Sequence, residues 1–184
     1  MTAVSVRSAR LFLCFLLYSA FGWAYEVFLE VAVYRWGYSD RGVLLGPYCP
    51  IYGVGALLFL LCFSPLLRRR LRGGVRLLRV TLIFLGCMLL ATGLELAASY
   101  LLEALTGAWP WQTYLDYRFN YQGRIALSPS LRFGLGGLIL LYGLQPLFDR
   151  LLDKLGDRRV LVLGRVLAIL FALDCAIYGL RLLF

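Results

Sequence analysis

Five long apolar stretches, divided by arginine-bearing turns or by connectors rich in glycine, proline and aromatics, make up nearly all of this 184-residue chain. They fall at about 11–34, 44–67, 75–105, 129–151 and 160–184. Each can cross a bilayer as a helix, because about 20 residues cover about 30 Å of hydrocarbon. The pattern predicts an all-α polytopic membrane protein with five transmembrane helices in a single membrane domain, 1–184. A signal peptide is the rival reading of the first stretch, since Arg7 and Arg10 precede an apolar run. Trp23, Tyr25 and Glu26 make a poor cleavage region, so the stretch is read as helix 1.

The second stretch starts irregularly. From Arg41 to Gly55 it reads Arg-Gly-Val-Leu-Leu-Gly-Pro-Tyr-Cys-Pro-Ile-Tyr-Gly-Val-Gly. Pro47 and Pro50 each remove a backbone donor and clash with the preceding turn, and Gly46, Gly53 and Gly55 add to the opposition to helix. Irregular backbone at membrane depth persists only where protein or water covers it. A Pro/Gly-broken start to helix 2, facing the protein interior, follows. Between helices 3 and 4, the segment 106–128 carries Trp109-Pro110-Trp111, Asp116-Tyr117, Asn120 and Gln122-Gly123-Arg124. Its aromatic density suits the headgroup interface.

The spans also repeat. At an offset of 81, Gly42, Gly53 and Gly55 align with Gly123, Gly134 and Gly136, and Tyr52 meets Phe133. At an offset of 69, Phe15 meets Phe84 and Glu26 meets Glu95. The two offsets differ by 12, which places an insertion in the second connector, around Trp109 to Asp116. This predicts two parallel two-helix repeats plus a fifth helix. Repeats of this kind occur in transporters, with sites at the repeat interface.

Composition agrees with the bilayer: 61% of residues are hydrophobic, 16% are charged, and mean hydropathy is +0.79. The net charge of +9 does not point to nucleic acid, because the cations, 18 of 19 of them arginine, fall between apolar segments as topology determinants. Thirteen cations lie at the amino terminus and in the second and fourth turns, against six on the other side. The positive-inside rule then puts the amino terminus in the cytoplasm and the carboxyl terminus outside. Five cysteines, four of them inside apolar runs, imply no disulfide framework. The absence of histidine excludes a His general base, His-ligated haem and His-containing zinc sites; no metal or cofactor is expected. A P-loop is also absent from these 184 residues.

Candidate chemistry rests on charges inside spans. Glu26, Glu95 and Asp174 lie within apolar stretches, where an ionisable group costs about 2.5–3.5 kcal/mol and faces a partner or a water-filled cavity. Arg41, Arg124 and Arg132 begin or precede returning helices on the same side. One outward-opening polar pocket would balance acids with arginines and be lined by Trp23, Tyr25, Tyr48 and Tyr52, with Cys49 and Asn120 in the flanking motifs. The same charges would serve equally as a static ion-pair network. Cys49 is a nucleophile or a packing residue, and general burial habit favours packing. The arginines from Arg68 to Arg79 retain a cytoplasmic turn or dock a separate ATP-binding subunit or anionic lipid.

Phe21-Gly-Trp-Ala-Tyr-Glu26, the motif from Arg41 to Ala56, Asp116-Tyr with Asn120, Gly123-Arg-Ile, the glycine-rich fourth helix and Asp174 together resemble the bacterial ABC-transporter permease family of type IV, CmpB-like. The resemblance covers nearly the whole chain. It implies a five-span inner-membrane subunit of a transport system, binding or moving a small solute. Five spans are few for a permease, so a homo-oligomer is expected. The alternatives are a membrane-embedded enzyme acting on a lipid-linked or periplasmic substrate, with Glu26 or Glu95 as general base, and a non-catalytic partner of another complex.

Overall fold

A computed structural model describes residues 3–39, 42, 44–67, 72–109 and 111–183. Helix α1 (Ala3–Phe28) ends in a π-helical turn, Leu29–Val33. Helices α2 (Pro50–Leu67) and α3 (Gly74–Thr106) follow, then a two-stranded antiparallel hairpin of β1 (Asn120–Tyr121) and β2 (Ile125–Ala126). Helix α4 (Leu127–Ile139), a second π-helical turn (Leu140–Leu144), α5 (Gln145–Leu155) and α6 (Asp157–Leu183) complete the chain. Five stretches are long and apolar enough to cross a membrane: Ser5–Val33, Pro50–Leu67, Gly74–Thr106, Leu127–Leu155 and Asp157–Arg181. The all-α polytopic expectation holds, and so does the broken start of the second span, where helix begins only at Pro50 after bends at 44–47.

Helix limits differ from the apolar limits for physical reasons. Hydropathy marks what sits in hydrocarbon, whereas helix continues wherever hydrogen bonding allows. Thus α1 begins at Ala3, eight residues ahead of the apolar run that opens at Leu11. Helix α4 accepts Pro129 because it lies in the first turn, where backbone N–H groups need no intrahelical partner. The π turn at Leu140–Leu144 precedes Pro146, whose missing N–H and bulky ring interrupt regular α geometry.

The chain forms two compact units, one of Met1–Leu57 with Leu147–Phe184 and the other of Leu58–Pro146. In the first, α1 packs along α6 around Leu13, Leu152 and Val160, with Ala9, Phe148, Leu155 and Leu167 against them. Phe171 meets Phe12 and Phe15 edge to face at centroid distances of 6.0 and 5.5 Å. In the second, α3 packs along α4, and Ile83 and Cys87 are fully buried. Large apolar side chains such as Leu77, Leu89 and Leu105 remain 66–72% exposed, as expected for surfaces that meet lipid.

One contact recurs in both units. A Cβ built on Gly53 would lie 2.5 Å from the Phe15 carbonyl oxygen and 2.6 Å from its ring. A Cβ on Gly134 would lie 2.7 Å from the Phe84 ring. Gly53 and Gly134 correspond at the offset of 81, and Phe15 and Phe84 at the offset of 69. Both corresponding glycines thus pack against the corresponding phenylalanine ring, and at Gly53 the missing side chain also lets the two backbones approach. Substituting Gly53→Ala or Gly134→Ala should lower the Tm in detergent, by overpacking worth about 1–3 kcal/mol. Gly143→Ala and Gly179→Ala, with no atom within 4 Å of the added carbon, should not. Equal Tm changes at all four positions would contradict this packing.

Candidate functional site

Within the first unit, Asp174 organises the broken segment ahead of α2. Its Oδ1 accepts the Leu45 N–H at 2.9 Å, and its Oδ2 accepts the Gly46 N–H at 2.9 Å and the Tyr48 hydroxyl. Pro47 has no N–H to offer, and the Cys49 N–H donates to the Ser19 carbonyl of α1 at 2.9 Å. The Tyr48 N–H donates to the Gly46 carbonyl at 2.8 Å, so the amides of Leu45, Gly46, Tyr48 and Cys49 are satisfied by α6, by the connector itself and by α1, the condition for irregular chain at membrane depth. Tyr48 stands in the connector, outside the spanning helices. Partial burial and the Asp174 carboxylate push its phenol above its ordinary value, so it remains a donor through the physiological range.

Glu26 of α1 accepts the Tyr52 hydroxyl from the first turn of α2. Close by, Gly22 leaves room for the Tyr52 ring, which a Cβ would strike. Cys49 is buried, 7% exposed, among these residues. One turn beyond Glu26, Glu30 is also buried, and its carboxylate accepts the Ser39 hydroxyl at 2.6 Å and the Ser39 N–H at 3.1 Å.

In the second unit, Glu95, Ser99 and Glu103 recur every four residues and so share one face of α3. The Tyr114 hydroxyl donates to Glu95 Oε1 at 2.8 Å. Arg124, 7% exposed, forms its ion pair with Glu103, reaches Ser99 Oγ at 3.4 Å, and lies between the Tyr100 and Trp109 rings, 4.1 Å from each centroid. Such double stacking favours arginine over lysine, because the planar guanidinium presents two faces. The indoles of Trp109 and Trp111 donate to the carbonyls of Gly123 and Arg124 at 3.3 and 2.8 Å.

Asn120 shapes the hairpin turn. Its Oδ1 accepts the Gly123 N–H at 2.9 Å, and its Nδ2 donates to the Tyr117 and Leu115 carbonyls at 2.7 and 3.4 Å. Gln122 and Gly123 have φ of +53° and +66°, a type I′ pattern that suits glycine. The interfacial segment is therefore an ordered cap carrying a short 3₁₀ helix (Gln112–Asp116) and a hairpin.

Sequence-selected residues accordingly fall into two groups. Glu26 with Tyr52, and Asp174 with Tyr48, form two pairs in the first unit with Cys49 between their tyrosines in sequence; Glu95, Asn120 and Arg124 belong to the second. Arg41 lies outside the described residues, as do Arg68, Arg69 and Arg70. Among the described residues Asp174 accepts two backbone amides and a phenol, and Arg124 takes Glu103, a residue the sequence reading passed over. The four-residue spacing of Glu95, Ser99 and Glu103 was the signal for it. Tyr114, also passed over, has a structural explanation. Phe133 stands where the first repeat has Tyr52 and cannot donate, so the inserted part of the connector supplies the hydroxyl instead.

The Asp174→Ala substitution should leave the Leu45 and Gly46 N–H groups without an acceptor, each at about 1–3 kcal/mol. In a background lacking the exposed Cys62 and Cys175, Cys49 should then react with a permeant maleimide at least tenfold faster. Tyr48→Phe, which keeps both amide bonds, should accelerate labelling far less. Unchanged Cys49 reactivity in Asp174→Ala would contradict the anchoring role.

A family model described as "Putative ABC-transporter type IV" matches residues 13–178. No curated protein and no solved structure matches the chain.

Proposed function

Because the chain belongs to the ABC-transporter type IV family, we propose that it is the membrane-embedded component of a transport system and binds a small solute at the intramembrane carboxylate of Glu26. The family match, running from the first span to the last, carries the transport reading. Solute contact falls first to Glu26 and Tyr52, because Glu26 is only half buried and, among the described residues, accepts a single side-chain hydroxyl. A carboxylate beside a phenol suits a solute bearing N–H or cationic donors. Asp174 and Asn120 act as scaffold, since their polar atoms hold backbone. Arg124 positions the hairpin within the second unit, and Arg41, Tyr48 and Cys49 complete the set of contacts around Glu26. Nucleotide hydrolysis belongs to a separate subunit docked on the basic turn Arg68–Arg79, and the working form is a homo-oligomer. The cation asymmetry supports a cytoplasmic amino terminus and a carboxyl terminus outside the bacterial inner membrane.

Two measurements test this reading. Energised vesicles of the host bacterium, offered a panel of amines, amino acids and sugars, should take up at least one solute only when the protein is present. Glu26→Gln should cut that uptake at least tenfold at unchanged protein yield and Tm. No dependent solute, or full uptake by Glu26→Gln, would overturn the assignment. For orientation, Asn120→Cys should label with an impermeant maleimide in intact spheroplasts, and Lys154→Cys only after permeabilisation. The opposite pattern would invert the topology.

A further inference from the structure

The start of α6 carries a shallow groove, wide open to its surroundings, of about 450 Å³, lined on this one helix by Arg158, Arg159, Val162, Leu163 and Val166. Arg159, Val162, Leu163 and Val166 follow helical spacing, so one face opens with a guanidinium and continues apolar for about 10 Å at 1.5 Å per residue. Val162, Leu163 and Val166 are 57, 41 and 49% exposed, and both arginines are exposed. The acids nearest in sequence are drawn elsewhere: Arg10 pairs with Asp153 at 2.6 Å and reaches Asp157 at 3.9 Å. Among the described residues, no hydrogen bond or ion pair engages Arg158 or Arg159.

We propose that this groove binds an anionic phospholipid, its phosphodiester held by Arg158 and Arg159 and the top of its acyl chains laid on Val162, Leu163 and Val166. Charge complementarity selects the headgroup, because two adjacent planar guanidinium groups match phosphate oxygens bidentately. The apolar continuation selects a lipid over a free anion, and basic sites at the ends of spanning helices attract acidic headgroups. The groove lies wholly on α6, away from the carboxylates assigned to solute, so lipid binding and transport are separable.

Native mass spectrometry of the purified full chain provides the test. Titrated with short-chain phosphatidylglycerol, the protein should retain a one-lipid adduct, and the matched phosphatidylcholine and inorganic phosphate should be retained at least fivefold less. The double substitution Arg158→Gln with Arg159→Gln should reduce phosphatidylglycerol retention at least fivefold, whereas Arg165→Gln, outside the groove, should not. Val166→Trp, which fills the apolar part and keeps both arginines, should weaken retention independently; circular dichroism and size exclusion verify folding of each variant. Equal retention of the two lipids, full retention by both groove variants, or phosphate binding as strong as phosphatidylglycerol would overturn the proposal. Loss of a dimer in the double variant without loss of lipid would instead make the groove an interface between copies.

Discussion

A buried carboxylate that accepts backbone N–H groups allows the second span to start where it does. Pro47 and Pro50 prevent helix from forming through the connector, so the amides before them need other acceptors. Asp174 takes two of these amides and the Tyr48 hydroxyl, while Ser19 takes the Cys49 amide. An acid in a spanning helix and an unwound stretch at similar depth are each costly alone. Together they offset one another. Packing follows from this arrangement, because anchoring the connector sets Gly53 against Phe15 and Tyr52 against Gly22.

The second unit meets a related requirement with different parts. Glu95 corresponds to Glu26, and both accept a tyrosine hydroxyl, but from different elements: Tyr52 begins α2, whereas Tyr114 comes from the cap. Phe133, at the position of Tyr52, has no hydroxyl, and the Tyr114 hydroxyl from the longer connector reaches Glu95 in its place. The cap itself is locked by Arg124, sandwiched between two rings, ion-paired to Glu103, and fixed at its carbonyl by Trp111. Functional freedom in this unit therefore depends on how firmly the hairpin is held, because the same contacts cover the polar face of α3.

Much of the architecture is readable from spacing alone. Apolar runs mark five spans because hydrocarbon demands length and leaves few alternatives, and two prolines three residues apart announce a break. The glycine and phenylalanine correspondences announce contacts that exist. Side-chain partnership was less legible: an acid in a span requires a donor, but composition does not say which one. Arginines were the obvious donors for Asp174, yet among the described residues its hydrogen-bond donors are two amides exposed by the helix break and the Tyr48 hydroxyl. The hairpin escaped notice because its strands are two residues each and its Gln-Gly turn sits inside an aromatic segment that also reads as an interfacial loop. Glu103 escaped because it lies near the polar end of a long helix, where a charge attracts no attention.

Residue-resolved hydrogen exchange of the wild-type protein in lipid nanodiscs tests the central claim most directly. The account predicts that the amides of Leu45, Gly46 and Cys49 exchange as slowly as those in the adjoining turns of α2, despite lying outside any helix. Exchange of those three amides at the rate of an open peptide would contradict it.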